Sequence, residues 1–588
     1  MSAAGGLPGA LGRGATPALL LAAVAAAGGL ALAGDGYAVR LATLAGVQAL
    51  LVLGYQLVFG HAGALSLAQG ALFGLGAYAA ALASLHAPWA AAISLPLAAL
   101  AAMAVAALVG AVVLRLETHY FALATLAVAQ LVHLALVNLE TLTGGANGIA
   151  GVPPAAPFGL GVARGWPTLL LVWCLFAVAG VAVTRAFAGL RGAVSDLARE
   201  LPLAAQSIGV DVAALRFTAF VAGAGLAGLA GALHAHVVGV VSPDVADMPV
   251  MVACLIATVI GGRRSVAGAA LGAILLTHAP EWFRFLENRH LIAFGLLALL
   301  VVIAMPEGLA GALDAVAARL RGAPMRSATP RSAIVPSRAA PTGGAALRLE
   351  AVVKDFGGVR ALDGVSFAVP ARAAVGLIGP NGSGKTTVVN VVTGLVVPDS
   401  GGVQLGAIRL DGRAPFAIAR AGVARTFQHA ELPADASALD AVASAAAAGT
   451  PRPADSDART AARAALVRIG FGDGVDIPCG ALPAGRRRLV EIARALATRP
   501  ALLILDEPGA GLSPAERADL AARLRAVNAT GVALLIVDHD VAFLAACVER
   551  LVCLDRGRVV ADGPVAAVRR DPAVRAAYFG DAAPEAAA

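Results

Sequence analysis

Residues 379–387 read GPNGSGKTT, a spacing of glycines, lysine and hydroxyls suited to holding the phosphates of a nucleotide. Gly379, Gly382 and Gly384 permit unusual dihedrals and close backbone approach. The N–H groups of Asn381, Gly382, Ser383, Gly384 and Lys385 can form a nest for anionic oxygens beside a helix N-terminus. Lys385 would bridge the β- and γ-phosphates, Thr386 would ligate Mg²⁺, and Thr387 closes the motif. The chain has only two lysines, Lys354 and Lys385, and one stands where a compact ammonium is wanted. An apolar run at 373–379 reads as a buried strand and KTTVVNVVTGL as a helix, the strand–loop–helix context the motif requires.

Three further stretches carry matching chemistry. ALLILDEPGAGLSP (501–514) reads as a central strand ending in two carboxylates. Asp506 would hold Mg²⁺ through water and Glu507 would polarise an attacking water. ALLIVDHD (533–540) is another strand, after which His539 can reach a γ-phosphate. In GVARTFQH the amide of Gln428 could orient that water or touch Mg²⁺. The set implies ATP and Mg²⁺ as cofactors.

The elements that position these residues occupy under half of the chain. With 588 residues and a hydrophobic fraction of 59%, it is too long for one ordinary domain and too apolar for a soluble one. About ten membrane spans are expected, at 17–34, 38–60, 62–84, 88–114, 118–138, 167–187, 217–240, 247–262, 265–280 and 290–305, each near the ~20 residues a crossing needs. The last are short, so a re-entrant piece is possible. The start could be a signal peptide, but further apolar segments follow at once and a retained first span is preferred. Cytoplasmic loops would carry Arg115, Arg191, Arg199, Arg216, Arg263 and Arg264, and the Gly-rich loop TLTGGANGIAGVPP would face outside, as the positive-inside rule asks. Arg40 is the exception, free to snorkel from an outer end. Polar residues within spans are few: His61, Ser66, Gln69, Gln130 and His133, the last two sharing one face as interhelical glue. With no carboxylate well inside a span, energy must come from elsewhere. The Gly-rich stretch GHAGALSLAQGALFGLGAY reads as tight helix packing or as a pathway lining.

The loop 190–216 is amphipathic, with Gly209 after a short helix, and could press on a partner. Residues 322–346 are rich in Pro, Ala and Gly and read as a linker that could reach roughly 75 Å when extended. The expected organisation is a membrane domain at 1–321, the linker, and a soluble α/β domain at 347–588. The net charge of +7 fits cytoplasmic loops better than nucleic acid, because the arginines are scattered. Five cysteines without CxxC spacing suggest buried thiols, with neither metal site nor disulfide framework.

The ordered set of phosphate loop, Gln428, LPAGRRRLVEIARAL, LLILDEP and His539 resembles an ABC-type ATPase. DFGGVRALDGVSF and VADGPVAAVRRDPAVRAAYFG resemble the ATPase ends of the branched-chain (hydrophobic) amino-acid importers. GHAGALSLAQGALFGLGAY, LTGGANGIAGVP, LAGLAGALHAH and VSPDVADMPVMVACLIATVIGGRRSVAGAALGA resemble their permease. The resemblance implies an all-α polytopic membrane bundle followed by a P-loop ABC ATPase, fused where the family usually keeps two chains. It implies ATPases working in head-to-tail pairs, with Phe356 stacking on adenine and 190–216 as the coupling helix. Expected partners are a second permease, a second ATPase, an extracytoplasmic solute-binding protein and the lipid bilayer of the cell (inner) membrane, with the ATPase cytoplasmic and no nucleic acid. The signature departs from LSGGQ: Pro483 replaces Ser and Arg486 replaces Gln, while Gly485 keeps an N–H for phosphate. Urea, short amides or other amino acids are alternative cargoes. An exporter would show about six long spans, and an ATP-binding regulator with little turnover would suit the weak signature.

Overall fold

The computed structural model describes residues 36–86, 92–114, 118–157, 160–282, 295–296, 299–301, 303–305, 307–321, 345–428, 430–449 and 453–579. The chain divides into two compact units, and the division does not follow the sequence simply: Gly189–Val212 groups with Ala328–Ala588, while Pro8–Ala188 and Ala213–Ser327 form the other.

Where apolar residues run without a polar period, every backbone N–H and C=O must be paired within the segment, and the helical unit is the result. Its main helices are α1 (Gly36–Tyr55), α2 (Gln69–His86), α3 (Ser94–Val113), α4 (Thr118–Asn138) and α5 (Trp166–Ala186), then, after a break, α8 (Val212–Val238), α9 (Met248–Gly261) and α10 (Val266–Trp282). Among the described residues, five helices are long and apolar enough to cross a membrane: Gly36–His61, Ser94–Val113, Tyr120–Asn138, Trp166–Ala186 and Val212–Val238. Two expectations change. The window 62–84 is not one helix: α1 ends in a π-helical turn, Gln56–His61, residues 62–68 are irregular, and α2 begins at Gln69. Helix α9, at 14 residues, rises about 21 Å, short of the ~30 Å hydrocarbon layer. Window 17–34 and half of 290–305 lie outside the described residues.

Irregular backbone inside an apolar unit needs partners, and polar side chains supply them: Thr125 Oγ1 accepts the Leu67 N–H at 2.9 Å. The Gln69 amide donates to the Gly223 carbonyl at 3.1 Å, and Gln56 donates to the carbonyls of Gly262 and Ser265 at 2.8 and 3.0 Å. Gln130 is exposed and the buried His133 Nδ1 has no partner among the described residues, so the interhelical glue sits on Gln56 and Gln69 instead. Small residues set the helix spacing. A Cβ on Gly76 of α2 would lie 2.2 Å from the Gly228 carbonyl oxygen of α8, and one on Gly74 would lie 2.4 Å from Ala246 Cβ. The ladder of glycines in α2 is therefore close packing. A two-stranded sheet, β1 (Ile149–Ala150) with β2 (Val240–Val241), ties the Gly-rich loop to the end of α8. Of the five free cysteines, Cys174 is exposed and the other four are buried.

The other unit begins with β3 (Ala345–Phe356), so the last two residues assigned to the linker already belong to a strand and the rest of it lies outside the described residues. Strands β3, β4 (Val359–Pro370), β6 (Ser400–Leu405) and β7 (Ile408–Arg409) form an antiparallel sheet in the order β4-β3-β6-β7. A six-stranded sheet has the order β12-β11-β5-β10-β9-β8, from β5 (Ala374–Ile378), β8 (Val423–Arg425), β9 (Leu502–Asp506), β10 (Ala533–Val537), β11 (Arg550–Asp555) and β12 (Arg558–Pro564). All its neighbours pair in parallel except β11 with β12. Strands β5, β9 and β10 are wholly buried runs, apolar but for Asp506 at the end of β9, as expected where both faces of a parallel sheet are covered.

The inserted segment Gly189–Val212 folds as α6 (Leu190–Glu200) and α7 (Pro202–Ser207) and is held to this unit at both ends. Gly189 takes φ +68°, a Cβ there would fall 2.0 Å from Asp455 Oδ2, and that oxygen accepts the Leu190 N–H at 3.0 Å. At the far end Gly209 takes φ +93° and its carbonyl accepts Arg420 Nε–H at 2.8 Å. Asp455 thus supplies, from another part of the chain, the helix cap that a glycine cannot.

Close packing at Gly76 predicts that Gly76→Val lowers stability by about 1–3 kcal/mol or more, because backbone stands where the side chain would go. Gly161, with nothing within 4 Å of its Cβ position, serves as the tolerant control. Thermal unfolding of the two detergent-solubilised variants checks the difference.

Candidate functional site

Strand order alone assembles the chemistry. Ligand sites of parallel α/β sheets form beyond the carboxyl ends of the strands. Neighbours β5, β10, β9 and β8 end, respectively, at the phosphate loop, two residues before His539, at Asp506, and at Arg425. Helix α11 (Lys385–Val392) follows the loop. Gly384 takes φ +102°, and a Cβ there would lie 2.7 Å from the Ala361 carbonyl oxygen, so only glycine fits. Lys385 is buried and its ammonium donates to the carbonyls of Gly379 and Pro380 at 2.7 and 2.8 Å, which fixes the loop's arch. Burial pulls the Lys385 pKa down, against the opposing pull of Glu507, Cys553 and Asp506. The buried Ser383 hydroxyl has no partner among the described residues. Asn381, Gly382 and Thr386 are exposed, while Thr387 is half-buried on α11.

Glu507 sits at φ +44°, a left-handed backbone that is rare for a residue with a side chain and costs of order 1–3 kcal/mol. Its N–H is fixed by the Val537 carbonyl at 2.8 Å. Its carboxylate accepts the Gln428 amide at 2.9 Å, and His539 Nδ1 lies 3.9 Å away. Gln428, Glu507 and His539 are thereby brought together. His539 also lies 3.6 Å from Asp538, a carboxyl that burial pushes up while the N–H groups of Asp540 and Gly509 hold it down. Phe356 is half-exposed at the end of β3, with the Lys354 ammonium 5.5 Å from its ring centroid.

The signature stretch turns on Pro483, which precedes α15 (Ala484–Ala497) and gives it no side-chain cap. Gly485 is in the first turn, and a Cβ there would lie 2.9 Å from Glu516 Oε1. Arg486 is engaged within its own domain, donating to the Asp473 carbonyl with its guanidinium 4.6 Å from the Phe471 ring centroid.

Three charged residues escaped the sequence reading. Arg488 and the fully buried Glu491 of α15 pair at 2.9 Å and grip the Gln428 loop. Arg488 donates to the carbonyls of Phe427 and Gln428, each at 2.6 Å, and Glu491 accepts the Phe427 N–H at 2.9 Å. Burial raises the Glu491 pKa, and Arg494 and Arg488 oppose that rise. Arg425 pairs with Asp506 at 3.1 Å, both side chains being nearly buried. An Arg–Glu pair at i and i+3 in the amphipathic stretch RRRLVEIARAL, and an arginine closing the apolar run GVAR, were the available signals.

Among the described residues no group of three or more His, Cys, Asp or Glu could hold a metal ion. The available donors near the phosphate loop are Asp506, the Thr386 hydroxyl and the Gln428 amide oxygen. This sparse, all-oxygen set fits Mg²⁺, which keeps its waters and takes phosphate oxygens as ligands.

Comparison with known proteins matches each part of the chain. A family described as the permease component of the branched-chain amino acid transport system matches residues 37–306. The ABC transporter family matches 362–510, and the branched-chain amino acid ATP-binding cassette transporter family matches 558–584. The high-affinity branched-chain amino acid transport ATP-binding protein BraF of Pseudomonas aeruginosa is 34% identical over 250 residues, covering 40% of this chain and 98% of BraF. LivG of Salmonella typhimurium, of the same description, is 35% identical over 252 residues, with shares of 40% and 98%. The chain belongs to the branched-chain amino-acid ABC transporter family. It joins that family's permease and ABC ATPase in one polypeptide. A solved nucleotide-free ATP-binding cassette from an ABC transporter is 29% identical, covering 40% of this chain and all of its own, at a TM-score of 0.37.

Within the transporter's cassette, Arg488→Met would take from buried Glu491 the cation that hydrogen-bonds it, leaving Arg494 as its counter-charge, a loss of about 3–5 kcal/mol. Arg488→Met with Glu491→Leu removes both charges and is expected to cost less than the single change. Denaturation midpoints of both variants check the order, and a double variant less stable than Arg488→Met contradicts it.

Proposed function

We propose that this chain is one half of an ATP-driven importer of branched-chain amino acids, supplying one permease and one ATPase. The observation that carries this reading is the docking of Gly189–Val212, a segment from within the permease sequence, onto the cassette by Asp455 and Arg420. A segment so placed transmits cassette movements to the helices it joins. The cargo rests on the relatives' descriptions, with urea, short amides and other amino acids as alternatives.

In the proposed cycle the backbone N–H groups of Asn381–Lys385 cradle the phosphates, with Gly379, Gly382, Ser383 and Gly384 shaping the loop and Thr387 supporting it. Lys385 neutralises the β- and γ-phosphates. Phe356 stacks on adenine. Glu507 accepts the proton of the attacking water, Gln428 orients that water, and His539 steadies the γ-phosphate. Thr386, Asp506 and Gln428 would hold Mg²⁺, which supplies charge neutralisation on the phosphate oxygens when bound. Gly485 would offer its N–H to the nucleotide of a partner cassette.

We further assign the membrane domain to 1–321, the linker to 322–346 and the ATPase to 347–588, with about ten membrane-embedded helices once 17–34 and 290–305 are counted and the short α9 is taken as a partial crossing. The ATPase faces the cytoplasm and the bundle lies in the cell (inner) membrane. The partners are a second permease, a second ATPase and an extracytoplasmic solute-binding protein. Pro483 and the internally engaged Arg486 favour a heteromeric pair, because a self-paired chain would use this signature at both sites. They also support a second reading, a regulator with little turnover.

Glu507→Gln, in the complex purified with its partner subunits, is expected to retain ATP binding and to lower hydrolysis by 10²-fold or more, about the contribution of a general base. Lys385→Ala is expected to lose tight ATP binding. Parent-rate hydrolysis in Glu507→Gln removes Glu507 as the base, and a wild-type complex that binds ATP without turnover selects the regulator reading.

Asp455→Ala removes the cap of α6, a loss of about 1 kcal/mol. ATP hydrolysis is expected to persist while substrate uptake by proteoliposomes falls. Replacing Gly209 by a bulky residue is expected to do the same, and normal uptake at normal membrane levels in both variants removes the latch from the mechanism.

A further inference from the structure

Arg425 is the one charged residue of β8, and its guanidinium is spent on three side chains. Nη1 donates to Asn390 Oδ1 on α11 at 2.7 Å and lies 3.3 Å from Thr393 Oγ1, one residue beyond that helix. Nη2 donates to Asp506 Oδ2 at 3.1 Å. Helix α11 carries Lys385 and Thr386, so the fork links the phosphate-loop helix directly to the carboxylate at the end of β9. A planar, always-charged fork holds a carboxylate in one orientation, which a lysine ammonium does not. With Oδ2 engaged, Oδ1 is the Asp506 oxygen left to other ligands.

Arg425 is itself held from the other side. Its Cζ lies 5.2 Å from the Phe427 ring centroid. The Phe427 backbone is gripped at N–H and C=O by Glu491 and Arg488 of α15. A cavity lined by Leu203 and Ser207 of α7 with Thr393, Ile418, Arg425 and Phe427 brings the inserted segment to the same spot. The residue therefore stands where the signature helix, the docked segment and the phosphate-loop helix meet.

We propose that Arg425 is a positioning residue of the ATP site: it orients the Asp506 carboxylate for the divalent cation, and the Phe427 backbone clamp holds Arg425 in place. The proposal rests on the reading of Asp506 as the metal-side carboxylate. Partners that hydrogen-bond a ligating carboxylate typically change metal affinity 10–100-fold when removed. Loss of the fork should weaken the metal and leave the phosphate nest intact.

The test uses the full chain in its purified complex with a non-hydrolysable ATP analogue. Mn²⁺ binding is read by electron paramagnetic resonance, and nucleotide binding is read separately in EDTA. Arg425→Gln is expected to weaken Mn²⁺ binding 10–100-fold, with metal-free nucleotide affinity within about twofold of the parent. Arg425→Lys, which keeps the charge without the fork, is expected to fall between. Unchanged Mn²⁺ binding in Arg425→Gln overturns the proposal. So does a parallel loss of metal-free nucleotide binding, or a failure of both variants to fold, since either assigns Arg425 to the fold alone. Asp506→Asn separates the two readings: if it leaves Mn²⁺ binding intact, the assignment of Asp506 fails. If it abolishes Mn²⁺ binding while Arg425→Gln does not, only the role of Arg425 fails.

Discussion

The buried pair of Arg488 and Glu491 is the interaction on which the geometry of the ATP site depends. Two charges removed from water are tolerated only where their remaining hydrogen-bonding capacity is used. Here it is used on the backbone of Phe427 and Gln428. A loop that follows an edge strand of the parallel sheet would otherwise be free to move. Clamped by α15, it presents the Gln428 amide to Glu507 and the Phe427 ring to Arg425. The Gln428–Glu507 contact and the Arg425–Asp506 pair are thus both governed from one helix, the helix that follows Pro483.

That arrangement gives the weak signature a particular meaning. Pro483 and Arg486 alter the first turn of α15, while Arg488 and Glu491, further along, hold the Phe427–Gln428 loop of the same chain. Arg486 adds to this inward orientation by engaging Asp473 and Phe471. The grip of α15 on that loop is intact even where its first turn differs from the common pattern.

In the helical unit the governing constraint is that lipid offers no hydrogen bonds. Irregular backbone near residues 62–68 and 262–265 is matched by the side chains of Thr125 and Ser66 and of Gln56, and glycines bring α2 and α8 to backbone contact. The docked segment obeys a different constraint. Its two ends are glycines at positive φ, and each end is held by one charged side chain of the cassette, Asp455 or Arg420. Two charge-assisted hydrogen bonds fix the segment's direction as well as its position.

The phosphate loop, the strands that end at Asp506 and before His539, and the apolar helices were legible in sequence because each is a local pattern: a glycine spacing, a buried run, a stretch of about twenty apolar residues. Gln428 was found because its neighbours in sequence form such a run. Where the backbone leaves a regular helix was not legible, since residues 62–68 are as apolar as their flanks and their path is set by partners such as Thr125 of α4, far away in sequence. Arg425, Arg488 and Glu491 were passed over for the same kind of reason. An arginine in sequence looks like a surface charge, and whether it is buried against a carboxylate some eighty residues away is decided by strand order. The sequence by itself determined which chemistry this protein carries. Only the tertiary structure decided which charges hold that chemistry in place, because burial and pairing are properties of neighbours in space.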